Sequence, residues 1–525
     1  MVKKELFLVF ISALLFVVPV LWVTRNLELR LDTDYDAHLP VYEYIIDEIR
    51  VAHKIPSKNP YIATGLPVAG DPLSQIFNPL FMAPLIFLGV EQGMRIVFVV
   101  IVLLSGLAMW KLLAGFGISG LPRIWGAVLY EVSGAISARI SAGHVEKFFS
   151  FALIPLFFWS VLRSGISMKK IIIASCAIAG LFYSGDFYSI WMVTILFVCA
   201  RVFWLVRKKT SIGSEIISVI RIVSLSLFLV MPKLIPFLQA RNSFERFFPI
   251  HPMEGSIHFF LTPLTYIIPV GSFFYDRPFF QRTLGFHYNW YEYFNFISPV
   301  AFMLLFSILR VKKVLVSLLL LLLCIGSLYV SMKFTYSPFY WLVRFIPTLG
   351  VFRVPQRMLA VTIPLVILLL TLCAASWQKT IKTQWLLLLI FVSSIIWSTI
   401  VSQRILLGSF EHERIEEQFV ARELRRRDSS NFYVANFVCC IQKFFMRERI
   451  ANINYYYAWR PRSAPDFINQ NASGFNYSPL ASVRPTYIIA PKSEDFSVYV
   501  YKPFFETTKA RVWKTDEPTI VPAAY

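Results

Sequence analysis

Residues 5–24 read ELFLVFISALLFVVPVLWVT, and residues 31–38, a few positions further on, read LDTDYDAH. The first segment is an apolar run of the length that an α-helix needs to cross the hydrocarbon core of a bilayer. It has no small-residue cleavage site of the kind that ends a signal peptide, so we interpret it as a retained first membrane helix. The acidic segment that follows is then held at the membrane surface by the end of that helix.

The composition of the whole chain also indicates a membrane protein. Of its 525 residues, 57% are hydrophobic and only 16% are charged, and the mean hydropathy is +0.60. Soluble chains carry about a quarter charged residues. The composition therefore excludes a soluble enzyme, a disordered protein and a disulfide scaffold. The net charge of +20 is explained by basic cytoplasmic loops, which set the topology of membrane proteins, without nucleic acid as a partner.

Further apolar runs predict an all-α polytopic protein with about eleven membrane spans. After the first span at residues 5–24, they lie at residues 94–114, 122–138, 148–163, 170–185, 188–206, 217–238, 296–309, 314–332, 358–376 and 384–401. Lys3 and Lys4 place the N-terminus inside. Four consecutive inside turns are then basic, as the positive-inside rule requires: Arg163, Lys169 and Lys170; Arg207, Lys208 and Lys209; Arg310, Lys312 and Lys313; Lys379 and Lys382.

The same threading places the long connecting segments on the extracytoplasmic face. They are the outer loops at 25–95, 241–295 and 333–357 and the tail from 402 onward. The tail shows a charged helix at 411–427 and strands at 432–438, 485–489 and 496–501. We therefore predict a transmembrane domain at 1–401 and a small extracytoplasmic α/β domain at 402–525. A protein with its loops on one face is expected to work on that face.

The first outer loop has a recognisable internal order. Apolar residues recur at helical spacing between Leu39 and Ile49, with charges between them, which predicts an amphipathic helix in the membrane interface. A turn-rich stretch with IPSKNPY at 55–61, GLP at 65–67 and GDP at 70–72 follows. Residues 79–89 predict a short apolar helix that is too short to cross the bilayer.

Ionisable residues collect on the predicted outer side. They include Asp34, Asp36, His38 and Asp71 in the first loop, joined there by the polar Gln75, His144, Glu146, Lys147 and Asp186 at the next two outer turns, and further acidic and His residues in the loop at 241–295. Ionisable groups at the edge of a bilayer are costly unless they pair or face water, so they are candidates for a functional site. For each one taken singly, a solvated loop residue is the alternative.

These features together resemble the GT-C type glycosyltransferases. The resemblance rests on the acidic residue just past the first helix, the amphipathic helix and the stretch from Ile55 to Pro72. AGH at 142–144, GD at 185–186 and FRVPQR at 352–357 also fit, in order over about residues 1–400. The YfhO-like branch and the polyprenyl-phosphate-sugar transferases are the most similar.

The resemblance implies a GT-C-like fold and an inverting enzyme of the cell membrane. Its donor would be a polyprenyl-phosphate-linked sugar, and its acceptor a glycan, lipid or protein at the extracytoplasmic face. Asp34 would be the general base, with Asp36 as its substitute, and capping of the following helix is the alternative for either. Arg353 and Arg357, four apart on one helix face, would bind the phosphate together with Lys147, and interfacial snorkelling is their alternative.

The remaining candidates are contacts to substrate or metal: His38, Asp71, Gln75, His144, Glu146 and Asp186. One His and one Glu do not make a metal site, so a divalent cation stays an open alternative beside plain hydrogen bonding. The many aromatic residues of 241–295 suit an acceptor platform or an interfacial belt, and we favour the belt.

Two other classes of function fit the same topology. One is a transporter or flippase for a lipid-linked substrate, and the other is a non-catalytic assembly protein for a surface polymer. Transporters place charged residues at the bilayer midplane on broken helices. The predicted spans between 94 and 238 hold almost no buried charge, which favours the enzyme.

Overall fold

The computed structural model describes residues 2–30, 33–62, 65–241, 244–246, 265–267, 294–330, 357, 359–377, 381–412, 415–436, 442–452, 459–461, 468–469, 474–475, 485–491, 501–507 and 510–515. The chain divides into two compact units. The helical unit is Met1–Arg25, Arg95–Met231 and Ile250–Ser409, and the mixed unit is Asn26–Met94, Pro232–Pro249 and Phe410–Tyr525. This grouping cuts across the predicted domains 1–401 and 402–525, because residues 26–94 are grouped with the tail.

The described part of the chain is mostly helical. Its α-helices are α1 (Val2–Val23), α2 (Tyr35–Val51), α3 (Pro79–Leu88), α4 (Val90–Gly115), α5 (Leu121–Glu131), α6 (Gly134–Ala142), α7 (Ser150–Val161), α8 (Met168–Ser184), α9 (Phe187–Val206), α10 (Ile212–Ala240), α11 (Pro299–Phe302), α12 (Lys313–Val330), α13 (Leu359–Ser376), α14 (Ile381–Leu407), α15 (Ile415–Arg427) and α16 (Gln442–Arg447). Helical turns of the 3-10 type lie at Val145–Lys147 and Met303–Arg310.

Six helices of the described chain are long and apolar enough to cross a membrane. They lie at Lys3–Val23, Val90–Gly115, Phe187–Val206, Ile212–Ala240, Leu359–Ser376 and Gln384–Leu407. These six confirm the spans predicted at 5–24, 94–114, 188–206, 217–238, 358–376 and 384–401. The protein is therefore a multi-pass membrane protein, whereas the predicted number of eleven spans is supported only in part.

Two predicted spans are wrong as single membrane helices. The span at 122–138 is broken, since α5 ends at Glu131 and α6 begins at Gly134. At the break the Gly134 amide donates to the carbonyl of Phe296, 2.9 Å away, and not to the preceding helical turn. The span at 296–309 is the four-residue α11 followed by the 3-10 turn. The segments predicted at 148–163 and 170–185 form α7 and α8, with 12 and 17 residues.

The expectation that the spans between 94 and 238 hold almost no buried charge is also wrong. Glu131 is fully buried and accepts a hydrogen bond from the Ser12 hydroxyl at 2.6 Å. Arg201 is buried and its guanidinium lies 3.5 Å from the Glu215 carboxylate. Lys233 in α10 is 1% exposed. Each of these groups has a polar neighbour, as a membrane interior requires, although one carboxylate oxygen of Glu131 and the Nε of Arg201 have no hydrogen-bond partner among the described residues.

The mixed unit contains a five-stranded sheet formed by the C-terminal tail. Its strand order is Tyr501–Glu506, Ala510–Thr515, Tyr487–Pro491, Tyr433–Asn436 and Ala451–Asn452, of which the last three run parallel and the others antiparallel. Val434 and Ile489 of the sheet pack with Leu424 of α15 and Phe445 of α16 in one apolar core. Strands predicted at 432–438 and 485–489 are confirmed. For the strand predicted at 496–501, residues 496–500 lie outside the described residues.

The predicted elements of the first outer loop belong to the same unit. The amphipathic helix is α2, in which Leu39, Tyr42 and Ile45 are buried as its apolar spacing requires. The short apolar helix is α3. Within this unit, the Arg447 guanidinium of α16 forms a two-pronged ion pair with the Glu43 carboxylate of α2, at 2.9 Å and 3.1 Å.

Candidate active-site residues

Two helices of the helical unit end in the same way beside a polar residue. Gly143 follows α6 with φ of +76°, and Gly185 follows α8 with φ of +75°. This left-handed conformation favours glycine and lets the chain bond back to the last helical turn. The amides of His144 and Asp186 make those bonds. The motifs AGH and GD are therefore helix ends that present His144 and Asp186 at fixed positions.

Asp186 is the centre of a fully buried set of hydrogen bonds. Its carboxylate forms an ion pair with Lys147 and accepts from the Ser150 hydroxyl. It also accepts from the Ser189 amide at 3.0 Å, which caps the first turn of α9. The side chains of Lys147 and Asp186 are 1% and 0% exposed. Because all these bonds lie inside the unit, Asp186 holds the turns together.

Arg357 lies against the neighbouring residues of the same turn. Its guanidinium is 3.1 Å from Glu146 Oε1 and 3.2 Å from His144 Nε2. The other ring nitrogen of His144 is 3.5 Å from Arg139 Nη1. The guanidinium of Arg357 also lies over the ring of Tyr188, 5.7 Å from its centre. The Arg357 side chain is 17% exposed, whereas those of Glu146, Lys147 and Asp186 are 7%, 1% and 0% exposed.

The cluster carries more positive than negative charge. Arg139, Lys147 and Arg357 stand against the carboxylates of Glu146 and Asp186. Burial raises the pKa of Glu146, although Arg357 and Lys147 oppose that shift. Burial also lowers the pKa of Lys147, although Asp186 opposes it. Both directions indicate an environment of low polarity, in which an excess cation attracts an anion strongly.

Asp34 and Asp36, the predicted bases, lie in the mixed unit at the start of α2. Both side chains are half-buried. The Asp34 side chain makes no capping hydrogen bond to the helix. The Tyr35 amide is instead bonded to the Thr33 hydroxyl at 3.3 Å. Capping, the alternative role for Asp34, is therefore not what its side chain does, and its role as a base stays a prediction.

Asp71 and Gln75 order the turn-rich stretch that follows α2. The Asp71 carboxylate accepts from the Leu73 amide at 3.0 Å. The Gln75 side chain accepts from the Asn78 amide group at 3.1 Å. Asp71 is 1% exposed, Gln75 0% and His38 of α2 5%. Local folding of the loop accounts for these contacts of Asp71 and Gln75.

Lys233 was missed by the sequence reasoning. Its ammonium group donates to the carbonyls of Pro72 and Ser74, each at 2.9 Å, and interacts electrostatically with Asp71. A lysine inside an apolar run is a signal for a buried polar contact, and that signal was available. Lys233 thus attaches the turn-rich stretch to α10 inside the mixed unit.

The structure brings together His144, Glu146, Lys147, Asp186 and Arg357 in the helical unit, whereas Asp34, Asp36, His38, Asp71 and Gln75 belong to the mixed unit. Arg353 lies outside the described residues. Sequence reasoning missed Arg139, Ser150 and Tyr188, of which only Arg139 left a signal, as a charge within an apolar helix. No three His, Cys, Asp or Glu side chains converge as metal ligands in the part of the chain that the structure describes.

Comparison with known proteins finds similarity in structure only. No model of a known protein family matches the sequence, and no curated protein matches it. The Archaeoglobus fulgidus oligosaccharyltransferase AglB, in complex with an inhibitory peptide and a dolichol-phosphate, aligns with a TM-score of 0.53 and 10% identity over 93% of this chain and 69% of that chain. A second A. fulgidus oligosaccharyltransferase structure, with Zn and sulfate, aligns with a TM-score of 0.50 and 12% identity, over 93% and 68%.

The arabinofuranosyltransferase AftD from Mycobacteria aligns with a TM-score of 0.53 and 10% identity, over 97% of this chain and 42% of that chain. At such identities the likeness concerns the fold alone. These neighbours are GT-C glycosyltransferases, and none of them confirms the YfhO-like branch. The chain therefore has the GT-C fold.

Proposed function

We propose that this protein is a membrane glycosyltransferase. It moves a sugar from a polyprenyl-phosphate-linked donor to an acceptor at the extracytoplasmic face of the membrane. The observation that carries the proposal is the buried cluster around Arg357, in which three cations stand against two carboxylates, in a chain with the GT-C fold. The AglB structure with this fold holds a dolichol-phosphate, which is the class of ligand that an excess of buried cations suits.

The reaction requires a base and an anion site. The acceptor hydroxyl oxygen attacks the anomeric carbon, and the bond from that carbon to the phosphate oxygen breaks with its electron pair on the phosphate. The hydroxyl proton passes to a carboxylate, and the configuration at the anomeric carbon is inverted. In this proposal Asp34 takes the proton, with Asp36 as the substitute.

Arg357 is the proposed ligand of the leaving phosphate. Its planar guanidinium pairs two phosphate oxygens, and it is partly exposed while Lys147 is not. An arriving phosphate competes with Glu146 for Arg357. Lys147, which is buried, adds positive charge to the site. Arg353 is proposed to bind the phosphate together with Arg357.

The test is transfer from a panel of polyprenyl-phosphate sugars by the purified protein in nanodiscs. Asp34→Asn is expected to lower the transfer rate by a factor of about 10²–10⁴, as loss of a general base does. Donor binding is expected to be unchanged. Glu48→Gln, a change of an acidic residue on the same helix, is the matched control. Arg357→Gln is expected to weaken donor binding.

Three outcomes would contradict parts of the proposal. Transfer that survives in the Asp34→Asn, Asp36→Asn double variant removes the assigned base. Donor binding that is unchanged in Arg357→Gln removes the phosphate ligand. Movement of the intact donor across the bilayer, without cleavage of the sugar–phosphate bond, replaces the enzyme by a transporter.

A further inference from the structure

Two adjoining cavities in the mixed unit form what we name the arginine groove. One cavity, of about 390 Å³, lies between α2, the α3–α4 turn and the turn after α16. The other, of about 450 Å³, lies between that same turn and the end of α15. Both are lined by Tyr61, Arg447 and Arg449. The groove is defined by these three residues with Tyr44 and Arg425.

Arg449 has a backbone conformation that normally selects glycine. Its φ is +53°, and the Ile450 amide bonds back to the Phe445 carbonyl at 2.8 Å, which is the usual glycine-ended helix terminus. Arg425 supports this turn by donating to the carbonyl of Arg449 at 2.7 Å and to that of Glu448 at 3.0 Å. The turn therefore holds Arg449 in a fixed conformation at the edge of the groove.

The arginines around the groove differ in whether their guanidinium groups already bind other groups of the protein. Arg447 is paired with Glu43, and Arg425 and Arg50 donate to backbone carbonyls. Arg449 is exposed, and its guanidinium forms no ion pair or hydrogen bond with any residue in the described ranges. Its positive charge is therefore the one available to a ligand in the groove.

The rest of the lining suits a polyhydroxylated ligand. Glu43, Asp47 and Glu91 provide hydrogen-bond acceptors in the first cavity. The rings of Tyr44 and Tyr61 lie edge to face there, 5.6 Å apart. A tyrosine ring offers an apolar face with a polar tip, which matches a sugar ring with its hydroxyl groups. The second cavity has three arginines against the single carboxylate of Glu448, so it suits an anion.

We propose that the arginine groove binds an acidic carbohydrate and that this carbohydrate is the acceptor. The sugar ring lies against Tyr44 and Tyr61, and its carboxylate or phosphate group is bound by Arg449, which acts as the specificity residue. The identification as acceptor rests on the proposed function, whereas the binding of an acidic sugar does not.

The test is Arg449→Gly in the full chain, purified in detergent without donor. Lys208→Gly is the matched control, since Lys208 follows α9 with φ of +51° and the Lys209 amide bonds back to Trp204 in the same way. Both changes relax a left-handed residue, so neither is expected to lower the thermal unfolding midpoint. Only Arg449→Gly is expected to weaken the binding of tetragalacturonate, by about tenfold or more, as loss of a charge-assisted contact does.

Three ligands distinguish whether the groove binds a carboxylate, a phosphate or an uncharged sugar. Tetragalacturonate tests a carboxylate, mannose 6-phosphate a phosphate, and maltotetraose is the neutral comparison, expected to bind at least about tenfold more weakly. Arg449→Gln, which keeps the side chain without its charge, is expected to behave like Arg449→Gly. Equal binding by the wild type and both Arg449 variants, or equal binding of maltotetraose, overturns the inference.

Transfer assays then separate this inference from the proposed function. Binding of an acidic sugar that depends on Arg449, with no transfer from any donor, retains the groove and rejects the glycosyltransferase. Transfer to neutral and acidic acceptors alike, with no effect of Arg449→Gly, retains the glycosyltransferase and rejects the groove as its acceptor site.

Discussion

The ion pair between Lys147 and Asp186 gives the sharpest stability prediction, because both side chains are buried. Asp186→Asn keeps an acceptor for the Ser189 amide, and asparagine caps a helix as well as aspartate does. The substitution removes the negative charge, leaves the Lys147 ammonium group without its counter-charge and replaces the oxygen that accepts from the Ser150 hydroxyl by an NH2 group. Removing one partner of a buried pair costs about 3–5 kcal/mol, and we expect a loss of about 3 kcal/mol here.

The second substitution tests this reasoning. Lys147→Met alone leaves Asp186 with its Ser150 and Ser189 donors, so it is expected to cost about 2 kcal/mol. The double variant contains no unpaired charge and is expected to lose about 2 kcal/mol, where independent effects would sum to about 5 kcal/mol, which gives a coupling energy of about 3 kcal/mol.

Equilibrium unfolding in mixed micelles of dodecyl maltoside and sodium dodecyl sulfate measures all four proteins. Effects that add to within about 0.5 kcal/mol would refute the reasoning, because independent sites behave in that way. A double variant with normal donor binding would further show that Lys147 acts through Asp186 and not on the phosphate.

Two further predictions concern the helix break and the tail. A Cβ on Gly134 would overlap the buried ring of Phe294, so Gly134→Ala is expected to cost about 1–3 kcal/mol in the same unfolding assay. Gly213→Ala, whose Cβ would have no atom within 4 Å, is the control and is expected to be neutral or slightly stabilising. Hydrogen bonds from Arg426 and Arg427 lower the pKa of Glu423 from 4.5 to about 2. The stability that Glu423 contributes is therefore complete above pH 4.5 and lost as the pH falls towards 2, so the thermal midpoint of the wild type should fall more over this range than that of Glu423→Gln, and parallel curves would contradict this.

The membrane helices were predictable because the transfer of an apolar segment into a bilayer depends on its own residues. The runs that became α1, α4, α9, α10, α13 and α14 are each apolar over about the thickness of the hydrocarbon core. The break between Glu131 and Gly134 was not predictable in this way. It depends on the bond from Gly134 to Phe296, a residue that is remote in the chain.

Most residues of the candidate site could be predicted from the sequence, but which cation pairs with which carboxylate could not. His144, Glu146, Lys147 and Asp186 stand out because polar residues between apolar runs are few. Burial and partner choice needed the structure. Asp186 pairs with Lys147 and caps α9, whereas Glu146 pairs with Arg357, and nothing in the spacing of these residues distinguishes the two carboxylates.

The sequence by itself determined that the chain crosses a membrane and that its membrane helices coincide with its apolar runs. It also showed that a few polar residues stand between those runs. Both follow from the sequence because hydropathy and periodicity are local properties. Only the tertiary structure decided which of those residues neutralise one another and that Arg449 adopts a glycine-like conformation beside a cavity. Charge pairing and cavities arise between segments that are distant in the chain, and their energies depend on distances that no local pattern encodes.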